Sequence, residues 1–176
     1  MAESALAQVA TLLRQRNAID AELAGITGRP VAAGHLGEWI AARIFDIELE
    51  ASATTAGYDG RFRSGPLQGH TVNIKWYLKR EGALDTTATP LDYYLVLTGP
   101  PGPASSSRGT VRPWRIDNVF LFDALQLHDE LQARGVKQGI AASVNQQQWA
   151  TAEIYPTASP RLPLTPQQAT DLTRFH

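Results

Sequence analysis

The sequence predicts an α+β (or α/β) domain, a small central mixed β-sheet flanked by helices. Three observations carry this. Apolar residues recur at helical spacing near the start of the chain, and two alternating segments flank a turn-rich stretch in the middle. Further on, Asp92-Tyr93-Tyr94-Leu95-Val96-Leu97-Thr98 places apolar residues on both faces of one strand, as a central strand requires.

In chain order, Leu6, Val9 and Leu13, then Leu12, Ile19, Leu23 and Ile26, predict a long helix from about Ser4 to Ile26, with Asn17 as the place where it could break. Thr27-Gly28-Arg29-Pro30 ends it. A second helix spans about His35 to Phe45, with Leu36, Ile40 and Ile44 forming its main stripe. At about 100° per residue, Glu38 falls on the opposite side with Ala41, Ala42 and Phe45. A carboxylate on such a small-residue face wants a hydrogen bond, a cation or a metal, although a place near the first turn, where the helix dipole favours an anion, would also explain it.

Residues Tyr58 to Arg63 alternate, Ser64-Gly65-Pro66-Leu67-Gln68-Gly69 supplies a turn, and Thr71 to Leu78 alternates again, so the two segments read as a hairpin. Val72, Ile74, Trp76 and Leu78 form its buried face, and Thr71, Asn73, Lys75 and Tyr77 the other. One side of the hairpin thus offers Asp59, Asn73 and Lys75. The Pro-rich stretch from Pro100 to Ser107 is a loop. After it come a weak strand over Val111 to Ile116, a helix from Phe122 to Arg134 ended by Gly135, a short element from Trp149 to Tyr155, and a last helix that Thr165-Pro166-Gln167-Gln168 starts and that runs to about Phe175.

Composition narrows the chemistry. A chain of 176 residues that is 43% hydrophobic can bury a core as one domain without staples. The absence of cysteine removes disulfides, thiolate zinc sites, iron–sulfur clusters and a cysteine nucleophile. The first residues do not read as a signal peptide and no apolar run approaches the roughly 18 residues of a membrane span, so a soluble cytoplasmic protein without a membrane partner is expected. Sixteen Lys and Arg against 17 Asp and Glu give a net charge of −1, which argues against a generally basic nucleic-acid coat. Locally the balance is uneven: Arg61, Arg63, Lys75, Lys79 and Arg80 outnumber the acids between Gly57 and Glu81, while Glu38, Asp46, Glu48 and Glu50 dominate the segment just before. Two ordinary solvated faces are the plain alternative.

An Asp on one strand, polar residues at i and i+2 on the next and a helix carboxylate upstream can converge. The Asp59 carboxylate and the Asn73 carbonyl, with Glu38 directly or through water, make the hard oxygen environment that Mg²⁺ or Mn²⁺ prefers. Lys75 beside such an ion would orient a water or stabilise charge on a phosphodiester under attack. The alternative is a solvated strand face with Asp59 as a turn residue. Arg61, Arg63, Lys79, Arg80 and an exposed Tyr77 are candidate contacts to nucleic acid. His35, His70 and His128 lack ligand spacing and read as surface residues; Ser105, Ser106 and Ser107 lack a nucleophile elbow; the prolines of Gly99-Pro100-Pro101-Gly102 preclude a phosphate loop.

Gly37-Glu38, Gly57-Tyr58-Asp59-Gly60 and Val72-Asn73-Ile74-Lys75, followed by the apolar strand from Tyr93, resemble the PD-(D/E)xK nuclease superfamily, the restriction endonuclease-like fold, over about Gly34 to Thr98. The pattern looks most like small uncharacterised bacterial members. The resemblance implies a candidate nuclease core over residues 31–98 after a helical segment at 1–30, with a Pro/Ser-rich loop at 99–109 and further strands and helices at 110–176. It also implies a divalent metal, Mg²⁺ or Mn²⁺, held by Asp59 and the residue at the Asn73 position, a catalytic Lys75, a supporting Glu38, and cleavage of DNA, less often RNA, in restriction, repair, recombination or defence. Asn73 departs from the pattern, because that position usually holds an acid or sometimes Gln; a neutral oxygen donor weakens the site, and Glu38 would restore the charge. The same resemblance leaves open a catalytically inactive module that binds nucleic acid or a protein partner, as in a defence or toxin system, and a homodimer or a partner subunit.

Overall fold

The computed structural model describes residues 4–51, 57–102 and 112–176. The first helix, α1 (Ala5–Thr27), begins where the sequence places it: the Ser4 hydroxyl accepts the Ala7 N–H at 3.2 Å, and Gly28 closes it at φ 71°. It runs through Asn17 without a break. The second, α2 (Ala33–Ile44), packs Leu36, Ile40 and Ile44 into the core. A side chain at Gly37 would place its Cβ 2.8 Å from the Cβ of Trp76, so the missing side chain lets α2 lie directly on the sheet and carries Glu38 close to it.

The strands are β1 (Ile47–Leu49), β2 (Gly60–Phe62), β3 (Thr71–Tyr77), β4 (Ala83–Leu84), β5 (Tyr93–Thr98), β6 (Asn118–Asp123), β7 (Ala142–Ser143) and β8 (Glu153–Tyr155). Six form one mixed sheet in the order β1-β2-β3-β5-β6-β8, and β4 pairs with β7 separately. Only β3 and β5 run parallel, Asn73 beside Tyr94 and Lys75 beside Val96; the other ladders are antiparallel. The remaining helices are α3 (Ala124–Ala133), α4 (Gln146–Ala152) and α5 (Pro166–Thr173). The fold is therefore α+β.

Alternation on the central strands builds two cores. Leu95, Leu97, Val119 and Leu121 face α2 and Leu172 of α5, while Tyr94, Val96, Phe120 and Phe122 face α3 and α4. On the second face Trp149 stands edge-on to Phe120 and Phe122, at 4.7 and 5.1 Å between ring centres. Burying each such side chain stabilises the fold by about 1.5–3 kcal/mol.

The hairpin of β2 and β3, the apolar β5 and the capping box of Thr165 and Gln168 all stand as expected. Four expectations are corrected. No strand occupies 112–116, and residue 111 lies outside the described residues; the strand comes later, as β6. Phe122 belongs to that strand, because Asp123 caps the next helix by accepting the Gln126 N–H at 2.8 Å and so sets its start at Ala124. The late element splits into α4 and β8, and α5 stops at Thr173. Strand β1 was hidden in the acidic segment. Of the Pro-rich loop, 103–107 lie outside the described residues, while Pro100 accepts the Arg80 N–H at 3.1 Å.

Candidate metal-binding site

Asp59 sits where β2 leaves β3. The ladder pairs Gly60 with Val72; one residue earlier the Asp59 N–H still reaches the Val72 carbonyl at 2.9 Å, but Asp59 Oδ2, rather than a main-chain oxygen, accepts the Ile74 N–H at 2.6 Å. The two bonds bracket Asn73. A side chain thus completes the sheet, which holds the carboxylate in place and takes it out of water. Burial raises the Asp59 pKa from its ordinary 3.8; the Ile74 N–H opposes this, the Glu38 carboxylate adds to it, and the Lys75 and Arg29 charges oppose it. Asp59 is therefore within electrostatic reach of Glu38, Lys75 and Arg29 together.

Asn73 is 8% exposed, and its Oδ1 is buried with no hydrogen-bond partner among the described residues. A buried carbonyl oxygen left unpaired costs about 1–3 kcal/mol and asks for a donor or a cation. Lys75, two residues on and on the same face, is half-buried and forms no hydrogen bond or ion pair among the described residues. Glu38 is engaged: Arg29, from the turn that ends α1, donates to its Oε2. The partner that Glu38 wants is thus a residue that sequence reasoning treated only as part of a helix stop. A cation nine residues before the acid, on a turn that folds α2 back, was the available signal.

The oxygens on this face are of the chemical type that a hard divalent cation takes. Asp59 Oδ1 and Asn73 Oδ1 are oxygen ligands of the kind Mg²⁺ and Mn²⁺ take, waters can complete the shell, and Glu38 would join on leaving Arg29. Among the described residues no three His, Cys, Asp or Glu side chains cluster as a metal site.

The cations expected to grip nucleic acid are placed differently. Arg63 pairs with Asp46, whose pKa is lowered by the Ser64 hydroxyl and by Arg63. Arg61 donates to the Tyr58 hydroxyl at 2.7 Å and lies opposite Glu48 in the ladder. The acidic and basic segments thus meet where β1 pairs with β2, and Arg63 with Asp46 is the ion pair that joins them. Lys79 reaches Glu81 at 3.2 Å, and Arg112 shares that carboxylate. Arg80 is drawn over the rings of Phe120 and Trp149, at 5.3 and 5.7 Å. Tyr77 is not exposed beside Lys75: it packs against the second core, its hydroxyl accepts the Asp85 N–H at 2.9 Å, and burial raises its pKa. Nor is His128 a surface residue; Nε2 meets the Tyr94 hydroxyl at 3.1 Å, and burial lowers its pKa.

No protein-family model matches the chain, and no curated protein matches it. Among the described residues no helix is long and apolar enough to cross a membrane.

Proposed function

We propose that this chain is a divalent-metal-dependent phosphodiester hydrolase of the PD-(D/E)xK kind, with a restriction endonuclease-like core and DNA as the expected substrate. The observation that carries the reading is the buried Oδ1 of Asn73, without a hydrogen-bond partner among the described residues, between the two main-chain contacts of Asp59 and next on its face to Lys75, whose charge acts on Asp59 without a hydrogen bond or ion pair among those residues. Structural polar groups in a sheet find partners; a buried acceptor without one, set between a fixed carboxylate and a cation, is suited to a ligand.

In this reading Asp59 and Asn73 hold Mg²⁺ or Mn²⁺ through side-chain oxygens, and Glu38 adds a carboxylate when Arg29 releases it. The ion, when bound, supplies positive charge against the negative charge that develops on a phosphodiester under attack. Lys75 donates hydrogen bonds, so it can hold a water with its lone pair turned toward phosphorus and offer charge to a phosphate oxygen. The raised pKa of Asp59 makes its carboxylate easy to protonate, so protons compete with the cation there.

A second reading is a catalytically inactive module of the same fold that binds nucleic acid or a protein partner, as in a defence or toxin system. It is favoured by the Arg29–Glu38 ion pair, in which the chain supplies its own cation, and by the neutral Asn73. Calorimetric titration with Mn²⁺ and Mg²⁺, beside a DNA nicking assay, separates the two. The control is Asp59→Asn, which keeps an oxygen for the Ile74 N–H; Asp59→Ala would orphan that buried donor at a cost of about 1–3 kcal/mol. Binding and nicking by the wild type, both lost in Asp59→Asn, are expected. Absence of metal binding by the wild type overturns the hydrolase.

A further inference from the structure

Helix α1 is unlike every other helix in the molecule: none of its 23 residues is buried. Leu6 is 80% exposed and Ile26 68%, and Val9, Leu12, Leu13 and Ile19 are each more than half exposed. Only Leu23, near the C-terminal end, packs against the core. Six large apolar side chains more than half exposed on one helix are unlike the single scattered apolar residues of a monomer surface, and such concentrations mark interaction sites.

The stripe has a coiled-coil period. Val9, Arg16 and Leu23 repeat every seven residues, as do Ala5, Leu12, Ile19 and Ile26, the two sets being offset by three and four. Its charges run from basic to acidic along α1, Arg14 and Arg16 before Asp20 and Glu22, with Arg16 reaching Asp20 of its own helix at 3.6 Å. Two copies running in the same direction would set Arg16 against Arg16. Running oppositely, they set each basic half beside an acidic half, and the same alignment places Val9 opposite Ile26, Leu12 opposite Leu23 and Arg16 opposite Ile19 of the other copy.

The helix also offers a receptor from its middle to its C-terminal end. Arg16, Ile19, Asp20 and Leu23 bound a groove whose other wall is Val31 and Trp114, and Trp114 is 45% exposed. We infer that α1 is a self-association element: two chains pair through antiparallel α1 helices, the N-terminal half of each lying along the groove between Leu23 and Trp114 of the other. The contact is isologous, so the Leu12–Leu23 layer occurs twice and the assembly closes at two copies.

The test is sedimentation of the full chain over a range of concentrations, with Leu12→Glu and Ile19→Glu as variants. Neither side chain is buried, so both variants fold, and circular dichroism verifies it. A dimer is expected in the wild type, with a dissociation constant raised about a hundredfold or more in the double variant. The register has its own readout, because the chain has no cysteine: Val9→Cys chains mixed with Ile26→Cys chains cross-link to each other on oxidation and not to themselves. A single-chain mass at every concentration overturns the inference. A dimer that survives Leu12→Glu with Ile19→Glu, or Val9→Cys chains that cross-link to one another, also overturns it.

Discussion

Two polar regions lie a few residues apart in the hairpin and differ in what they leave unused. Along the rim, Arg61, Arg63, Lys79 and Arg80 each have an occupation: a tyrosine hydroxyl, an aspartate, a glutamate, a pair of aromatic rings. In the middle, Asn73 and Lys75 have none among the described residues. Counting charges along the chain marks the basic segment for binding; the structure shows two of its five cations, Arg63 and Lys79, paired with carboxylates and two more, Arg61 and Arg80, held by neutral groups. Availability, rather than abundance, marks a residue as free to act on something outside the fold.

Three measurements sharpen this contrast. The largest effect is expected at Lys75: Lys75→Ala lowers metal-dependent cleavage by about 10²–10⁴-fold with Mn²⁺ affinity retained, whereas Arg63→Ala changes the rate by less than about threefold. A single-turnover nicking assay with both variants checks it, and equal losses would erase the distinction between the two regions. Next comes Asn73. Asn73→Glu adds the missing charge and tightens Mn²⁺ binding by about tenfold or more, and Asn73→Leu removes both the orphaned oxygen and the binding while raising stability by about 1 kcal/mol; calorimetry and urea midpoints read the two arms.

The smallest effect concerns pH. In the unfolded chain Asp59 titrates near 3.8, and in the fold burial raises that value. Between the two pKa values the folded state keeps a proton that the unfolded state has lost, so this contribution is fully present below 3.8 and fades as pH rises through the folded value. Urea midpoints measured across that window are expected to fall with pH in the wild type and to lose that part of the slope in Asp59→Asn.

The placement of the candidate site residues on one face was more legible than that of their surroundings, for a physical reason. Asp59, Asn73 and Lys75 come together through the turn of one hairpin, and period-two alternation places side chains on a face without reference to the rest of the chain. The helix at Ser4 and the box at Thr165 and Gln168 are equally local. What escaped notice depends on distant partners. Arg80 and Tyr77 are drawn inward by Phe120, Trp149 and Asp85. Strand β1 exists because three residues of an acidic segment find Gly60 to Phe62 in register, and β6 because its aromatic residues have a core on each side. Arg29 is placed on Glu38 by a turn whose path no periodicity describes.

The bond from the Ile74 N–H to Asp59 also bears on how this site would age. Position 59 needs a short side chain with an oxygen, because the sheet uses that oxygen as a main-chain substitute. Selection for folding alone therefore retains Asp or Asn there in any descendant, whether or not it still acts on a substrate. Position 75 carries no such obligation. A lineage that lost its chemistry would let the lysine drift first and keep the aspartate as a fossil, so variation at 75, not persistence at 59, is the record of whether the site is in use.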